Sequence, residues 1–236
     1  MTDSASSPPR SDDAVPRSVA SVPADARERL IRALEESIES NGYRNTTVAD
    51  IVKLGRASRR TFYRVFATKD DVFVALMDDL NNTLMVAMQE AVDPHSRWRD
   101  QVDAAITTYF DYIDRRPAVY LCSLQEFPYL GDIAEPVIRR GSDAFAELIH
   151  RMTDNEEFRR AGLAPATRLQ SMMVMGALDQ LVAEILQTSG HIRDGLALAI
   201  ASTTALLAVE AGSTDSPNLP AINDQPRPAT RRRRST

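Results

Sequence analysis

Residues 46–71 read TTVADIVKLGRASRRTFYRVFATKDD, and the order of signals in them predicts two short helices across a tight turn with a third helix close behind. Thr47 and Asp50 form a capping box, since the hydroxyl can serve a free first-turn amide while the carboxylate reaches back to the amide of Thr47. Val48, Ile51 and Val52 then recur at the spacing of one buried helix face. Lys53-Leu54-Gly55-Arg56-Ala57 ends this helix. Ser58 is placed to cap the next one, in which Phe62 and Phe66, four apart, turn inward and Arg59, Arg60, Thr61, Tyr63 and Arg64 are left on the other side. Thr68-Lys69-Asp70-Asp71 repeats the capping box, so a further helix starts within two residues of Phe66 and its amides can face a phosphate. A short helix whose outward face is all hydrogen-bond donors, carried behind a partner helix, suits the DNA major groove.

Gly42-Tyr43, Thr46-Thr47, Asp50-Ile51, Ser58, Thr61-Phe62-Tyr63-Arg64, Phe66 and Lys69-Asp70 resemble, in identity and spacing, the N-terminal domain of the TetR family of bacterial transcriptional regulators. The resemblance covers about residues 27–80. It departs at the turn, where the family usually has an Ala-Gly-Val-like sequence. Here Gly55-Arg56-Ala57 sets the glycine one position early, and Arg56 takes a place that often wants positive φ. Chemistry and resemblance together suggest the roles. Arg59 and Arg60 are candidates for bidentate contact with the O6 and N7 edge of guanine, and Thr61 for a thymine methyl. Thr47, Ser58, Tyr63 and Lys69 carry groups suited to phosphate, Arg64 could do either, and Arg56 is a phosphate contact or a solvated turn residue.

Net charge is −5, which suits a DNA binder only once it is divided along the chain. Residues 27–69 carry ten Lys or Arg against five Asp or Glu, whereas residues 70–210 carry eleven against twenty-two. A basic module on an acidic body approaches a polyphosphate in one orientation only. The 236 residues hold one large or two small domains with ample apolar content for a core. No run of the sequence approaches the roughly 18–20 apolar residues that span a bilayer, and the opening MTDSASSPPRSDD is not patterned as a signal peptide. Cys122 is the only cysteine, which excludes an internal disulfide and a cysteine-rich metal site; a small buried core thiol is the expectation. The expected setting is the cytoplasm, with no membrane partner.

The chain divides into an N-terminal tail (1–23), a helix-turn-helix domain (24–69), a helical body (70–211) and a C-terminal tail (212–236). The tails are rich in Ser, Pro and charge, cannot offset the entropy of ordering, and are expected to be disordered. Arg231 to Arg234 offer at most a sequence-independent contact with phosphate. All strong periodicity between the tails is helical. Leu30, Leu34 and Ile38 form a ladder ending at Asn41-Gly42, and Val72, Phe73, Leu76 and Leu80 continue as one stripe toward Met88. After Pro94, Ser96 can cap a helix carrying Val102, Ala105, Ile106, Tyr109, Phe110 and Ile113, with a shorter helix from Pro117 to about Phe127. Residues 132–153 and 164–189 read as two helices separated by a charged segment, 154–160, and a last helix runs over 191–211. The fold class is all-α: a three-helix DNA-binding domain and a larger ligand-binding and dimerisation domain.

The three histidines, His95, His150 and His191, lie far apart, and no Gly-rich phosphate loop or helical His-carboxylate pair occurs. The expectation is no catalytic residue, no metal and no cofactor. In proteins that this one resembles, helices bearing Tyr109, Tyr112, Phe127, Met172, Met173 and Met175 surround a ligand cavity; the same stripes can equally be core. The helix over 164–189 is apolar on more than one face. With the Ala-rich last helix it predicts a four-helix dimer interface through Leu178, Leu181, Val182, Ile185, Leu196, Ile200, Leu206 and Leu207. The resulting expectation is a homodimeric repressor on a pseudo-palindromic double-stranded operator, released by a small, largely apolar effector. A ligand-independent or global regulator, even an activator, and a small helical enzyme are the alternatives.

Overall fold

The computed structural model describes residues 21–188 and 190–209, and among these every regular element is helical. The two tails expected to be disordered lie outside the described residues except where the first helix begins at Ser21.

The head is built from α1 (Ser21–Asn41), α2 (Val48–Leu54), α3 (Arg59–Val65) and the start of α4 (Lys69–Ala91). Leu30, Leu34 and Ile38 are sealed from solvent and pack with Ile51, Phe62 and Phe73. Both expected capping boxes form, at Thr47 with Asp50 and at Thr68 with Asp71, and Ser58 accepts from the amide of Thr61 at 3.0 Å. These caps explain how two helices of seven residues persist, since each satisfies amides that the helix leaves without partners.

The body comprises the rest of α4 with α5 (Trp98–Asp114), α6 (Pro117–Gln125), α7 (Glu135–Thr153), α8 (Glu156–Arg160), α9 (Arg168–Gln187) and α10 (Leu196–Leu207). Its core gathers Met88, Ile106, Phe110, Ile149, Val174 and Val182. Because α4 belongs to both halves, it is the rigid connection between them. A second connection is α6 and the 3-10 segment Phe127–Ile133, whose Val119, Cys122 and Phe127 enter the core of the head rather than that of the body. Ion pairs Arg116–Glu35 and Arg44–Glu126 bind the same joint.

Several boundaries differ from the sequence reading. Ser96 does not cap α5: its hydroxyl donates to the Asp93 carbonyl, Arg97 precedes the helix without a side-chain cap, and buried Gln101 holds the loop by donating to the carbonyls of Pro94 and Ser96. The charged segment 154–160 is helical. Asn155 caps α8 through the amides of Glu157 and Phe158, and Phe158 anchors it in the core while the charged side chains pair along the surface. The last α-helix starts at Leu196 after a 3-10 turn, Ile192–Gly195, and ends at Leu207; residues 210 and 211 lie outside the described residues. Gly195 lies close under α9, and a Cβ on it would stand 2.4 Å from the Ile185 Cδ1, so a side chain there would make the end of Ile185 move aside. Among the described residues, α9 is long and apolar enough to span a membrane by length and composition, although no uninterrupted apolar run announces it. Instead it inserts Val174, Leu178 and Val182 into the core of the body.

Candidate nucleic-acid interface and body cavity

On α3, Phe62 is buried and Phe66 nearly so, which fixes the rotation of the helix and leaves Arg59, Arg60, Tyr63 and Arg64 exposed on its far side. Thr61 is half-buried, its hydroxyl 2.9 Å from that of Ser58. Three of the side chains expected at phosphates are already engaged. The Thr47 hydroxyl donates to Asp50 at 2.6 Å and Ser58 serves as the cap of α3. The Lys69 ammonium donates to the carbonyls of Tyr43 and Thr46 at 2.8 and 3.0 Å and lies 4.0 Å from the centre of the Tyr43 ring. Lys69 therefore staples the α1–α2 loop to α4. Tyr43 completes the staple by donating its hydroxyl to Asp70, and burial with this carboxylate raises its pKa.

The turn between α2 and α3 resolves the displaced glycine. Gly55 has φ −74, which any residue can adopt, but a Cβ on it would stand 3.0 Å from the Ile51 carbonyl oxygen, 3.3 Å from that of Arg29 and 3.4 Å from the Ala33 Cβ. A side chain at 55 would crowd the close approach of α2 to α1. The left-handed residue is Arg56, at φ 47 the one non-glycine with positive φ among the described residues. Two demands that a single glycine often meets are thus split, and the arginine bears the backbone strain.

The body contains a cavity of about 300 Å³ between α4, α5, α6, α7 and α9. Tyr109, Tyr112, Phe127 and Met175, all expected there, line it. Met172 and Met173 do not: they are exposed on the outer side of α9. Helical rotation is the reason, for consecutive residues stand about 100° apart, so Val174 can face the core and Met175 the cavity while both neighbours point outward. Sequence reasoning missed Tyr120, Arg116, Phe145 and Asp179, which also line the cavity. Asp179 was the readable one, being the single carboxylate within the apolar run SMMVMGALDQLVA (171–183). It accepts from Tyr120 at 2.6 Å and from Tyr109 at 3.1 Å, and the two hydroxyls touch one another. Burial raises the Asp179 carboxyl against the opposing pull of these hydroxyls. Burial likewise holds both phenols well above their ordinary range.

Met77, Val119 and Phe127 belong at once to the cavity wall and to the core of the head. From Phe127 a chain of rings leads on to Phe73, centroids 5.3 Å apart, and from Phe73 to Tyr43 at 4.4 Å. Arg116 borders the cavity and pairs with Glu35 of α1. Cys122, beside this joint, is buried, and burial, aided by Glu126, pushes its thiol up to about 12, so it is an inert core residue rather than a reactive one.

The expected dimer residues divide. Leu178, Val182 and Leu207 are buried in the core of their own chain, whereas Leu181, Ile185, Leu196, Ile200 and Leu206 are half-buried. The exposed apolar face instead runs along Leu169, Met172, Met173, Gly176 and Ala177 of α9 and Ala197, Leu198, Ala201 and Ala205 of α10. Among the described residues, no cluster of three or more His, Cys, Asp or Glu side chains could hold a metal ion.

Residues 30–76 match the family model described as bacterial regulatory proteins, tetR family. No curated protein matches the chain. Among solved structures, the transcriptional regulator FadR from Bacillus subtilis in complex with stearoyl-CoA superimposes with a TM-score of 0.64 at 18% identity, over 77% of this chain and 97% of that one. Reduced NemR from E. coli gives 0.62 at 17% identity over 79% and 100%. A tetR-family transcriptional regulator from Streptomyces coelicolor gives 0.66 at 15% over 80% and 83%. At these identities the likeness is one of fold.

Proposed function

We propose that this chain, whose residues 30–76 match the model of bacterial regulatory proteins of the tetR family, is a cytoplasmic, homodimeric repressor of that family whose body takes a small-molecule effector and so releases the operator. Each subunit places α3 in a major groove, with Arg59 and Arg60 reading guanine edges, Thr61 beside a thymine methyl, and Tyr63, Arg64 and Arg56 directed to the backbone. Thr47, Ser58 and Lys69 hold the shape of the head, as their engaged hydroxyls and ammonium support. The exposed apolar face of α9 and α10 pairs with its copy about a two-fold axis, which spaces the two heads for a pseudo-palindrome.

The observation that carries this reading is the sharing of Met77, Val119 and Phe127 between the cavity wall and the core of the head. A ligand that moves α6 or Phe127 must repack the head or shift it, and a shift changes the spacing between the two α3 helices. An effector acts this way only by favouring one arrangement over the other. The cavity supports the ligand-responsive reading over a body that only dimerises. Selection of bound duplexes from a random DNA pool tests the first half: a two-fold symmetric motif is expected, and enrichment of asymmetric or featureless DNA would refute it. For the second half, a cavity ligand is titrated into free protein and into the selected complex. The two affinities must differ by the factor through which the ligand weakens DNA binding, and equal affinities would refute release.

A further inference from the structure

The half-buried carboxylate of Asp179 on the cavity wall has no task in the release of the operator. Every hydrogen bond it makes among the described residues falls on Oδ1. Tyr109 and Tyr120 bring two hydroxyl protons between them, and the contacts of these hydroxyls with Oδ1 and with each other use both. Neither proton remains for Oδ2. No Lys, Arg or His among the described residues forms an ion pair with Asp179, and no cation figures among the influences on its titration. The only cationic side chain lining the cavity is Arg116, which is already bound to Glu35 and lies over the Tyr112 ring at 5.4 Å.

The remaining wall is apolar and aromatic. Tyr109, Tyr112, Tyr120, Phe127 and Phe145 supply ring surfaces, and Met85 and Met175 supply soft sulfur. Ring faces attract a cation, and a half-buried carboxylate with no cationic partner favours one. An anionic headgroup beside Asp179 would bring like charges together. At about 300 Å³ the cavity lies at the small end of the range of about 300–1,000 Å³ for small-molecule sites, which suits a compact ligand. We propose that the cavity takes a lipophilic protonated amine, with Asp179 as its counter-ion through Oδ2 and the tyrosine rings facing its charge. This rests on the reading of the cavity as the effector site and adds the class of effector.

Three compounds of one shape, 4-phenylbutylamine, 4-phenylbutan-1-ol and 4-phenylbutyrate, are titrated calorimetrically into the full chain at pH 7, then into Asp179→Asn and Tyr120→Phe. The amine is expected to bind at least about tenfold tighter than the alcohol, with the acid weakest. Asp179→Asn should weaken the amine by about ten- to a hundredfold and leave the alcohol within about twofold, whereas Tyr120→Phe, which keeps the carboxylate, should retain the preference. The ranking on the unaltered protein stands whether or not the variants fold. Alcohol or acid binding as tightly as the amine would overturn the counter-ion assignment while leaving the cavity as an effector site. Absence of binding and of any thermal shift with all three would overturn both.

Discussion

Replacing Arg56 by glycine should make the protein more stable, although it removes a charged side chain from an exposed turn. An L-residue held in the left-handed region costs about 1–2 kcal/mol, and Arg56 sits there at φ 47. Glycine removes that cost but adds freedom to the unfolded chain worth about 0.5–1 kcal/mol, so the net gain is about 0–1.5 kcal/mol, centred near about 0.75 kcal/mol. For a chain of this length each kcal/mol moves the melting temperature by about 2–4 °C, which predicts a rise of about 2–3 °C at the centre of that range and at most about 6 °C. Gly55→Ala is the control with the opposite sign. Its φ needs no glycine, but its Cβ would press on the carbonyl oxygens of Ile51 and Arg29, and such overpacking costs about 1–3 kcal/mol. Thermal denaturation of both variants checks the pair, and binding to a selected operator over a range of salt adds a second readout. If Arg56 touches phosphate in each subunit of the dimer, Arg56→Gly lowers the salt slope by about 2. Loss of stability in Arg56→Gly together with a neutral Gly55→Ala would refute the division of labour in this turn.

Arg60→Ala is expected to weaken operator binding by about 1–3 kcal/mol and relax the preference at one base pair of each half-site; unchanged preference in a repeated selection would remove Arg60 from base readout. Met173→Asp and Leu198→Asp should give folded monomers by light scattering with helical content retained, whereas Leu178→Asp should unfold the chain, because only the first two side chains are exposed. A dimer that survives both surface changes would place the interface elsewhere. Cys122, its thiol pushed up to about 12, should resist iodoacetamide at pH 8 until the protein is unfolded, and rapid alkylation of the native state would contradict its burial. Asp179→Asn should be more stable than the parent at neutral pH. The native carboxyl is raised above its ordinary 3.8, so stability is full below that value and is lost as pH rises through the native one. The gap between variant and parent should therefore close near about pH 3, and a constant gap would refute the cause.

The head was legible because its signals are local. Thr47 with Asp50 and Thr68 with Asp71 specify helix starts within four residues each, and Phe62 and Phe66 fix a rotation without reference to the rest of the chain. The contacts of Lys69 were not legible, for the opposite reason. Its partners are the carbonyls of Tyr43 and Thr46, more than twenty residues back, and nothing nearby distinguishes an ammonium that closes a loop from one that waits for phosphate. Ser96 failed similarly: the loop before α5 is held by Gln101 and, through Gln101, by Asn155, so a tertiary tie displaced a plausible local cap.

In the body, residues 172–175 show why core, cavity and interface could not be separated. Met172 and Met173 face outward, Val174 is sealed in the core and Met175 faces the cavity, so one turn of α9 meets three surroundings with side chains of nearly equal hydrophobicity. Periodicity identifies an apolar face only against a polar one, and α9 has too little polar surface to supply the contrast. Two exceptions to uniform greasiness carried the information instead. Small residues at Gly176, Ala177, Ala197, Ala201 and Ala205 mark the exposed face, where they bury little within one chain but leave room for another helix to approach closely. Asp179 marks the cavity, since a carboxylate in an apolar helix must find either a charge partner or a reason to do without one. The large apolar residues of α9 tell only that something will be buried; the misfits beside them indicate against what.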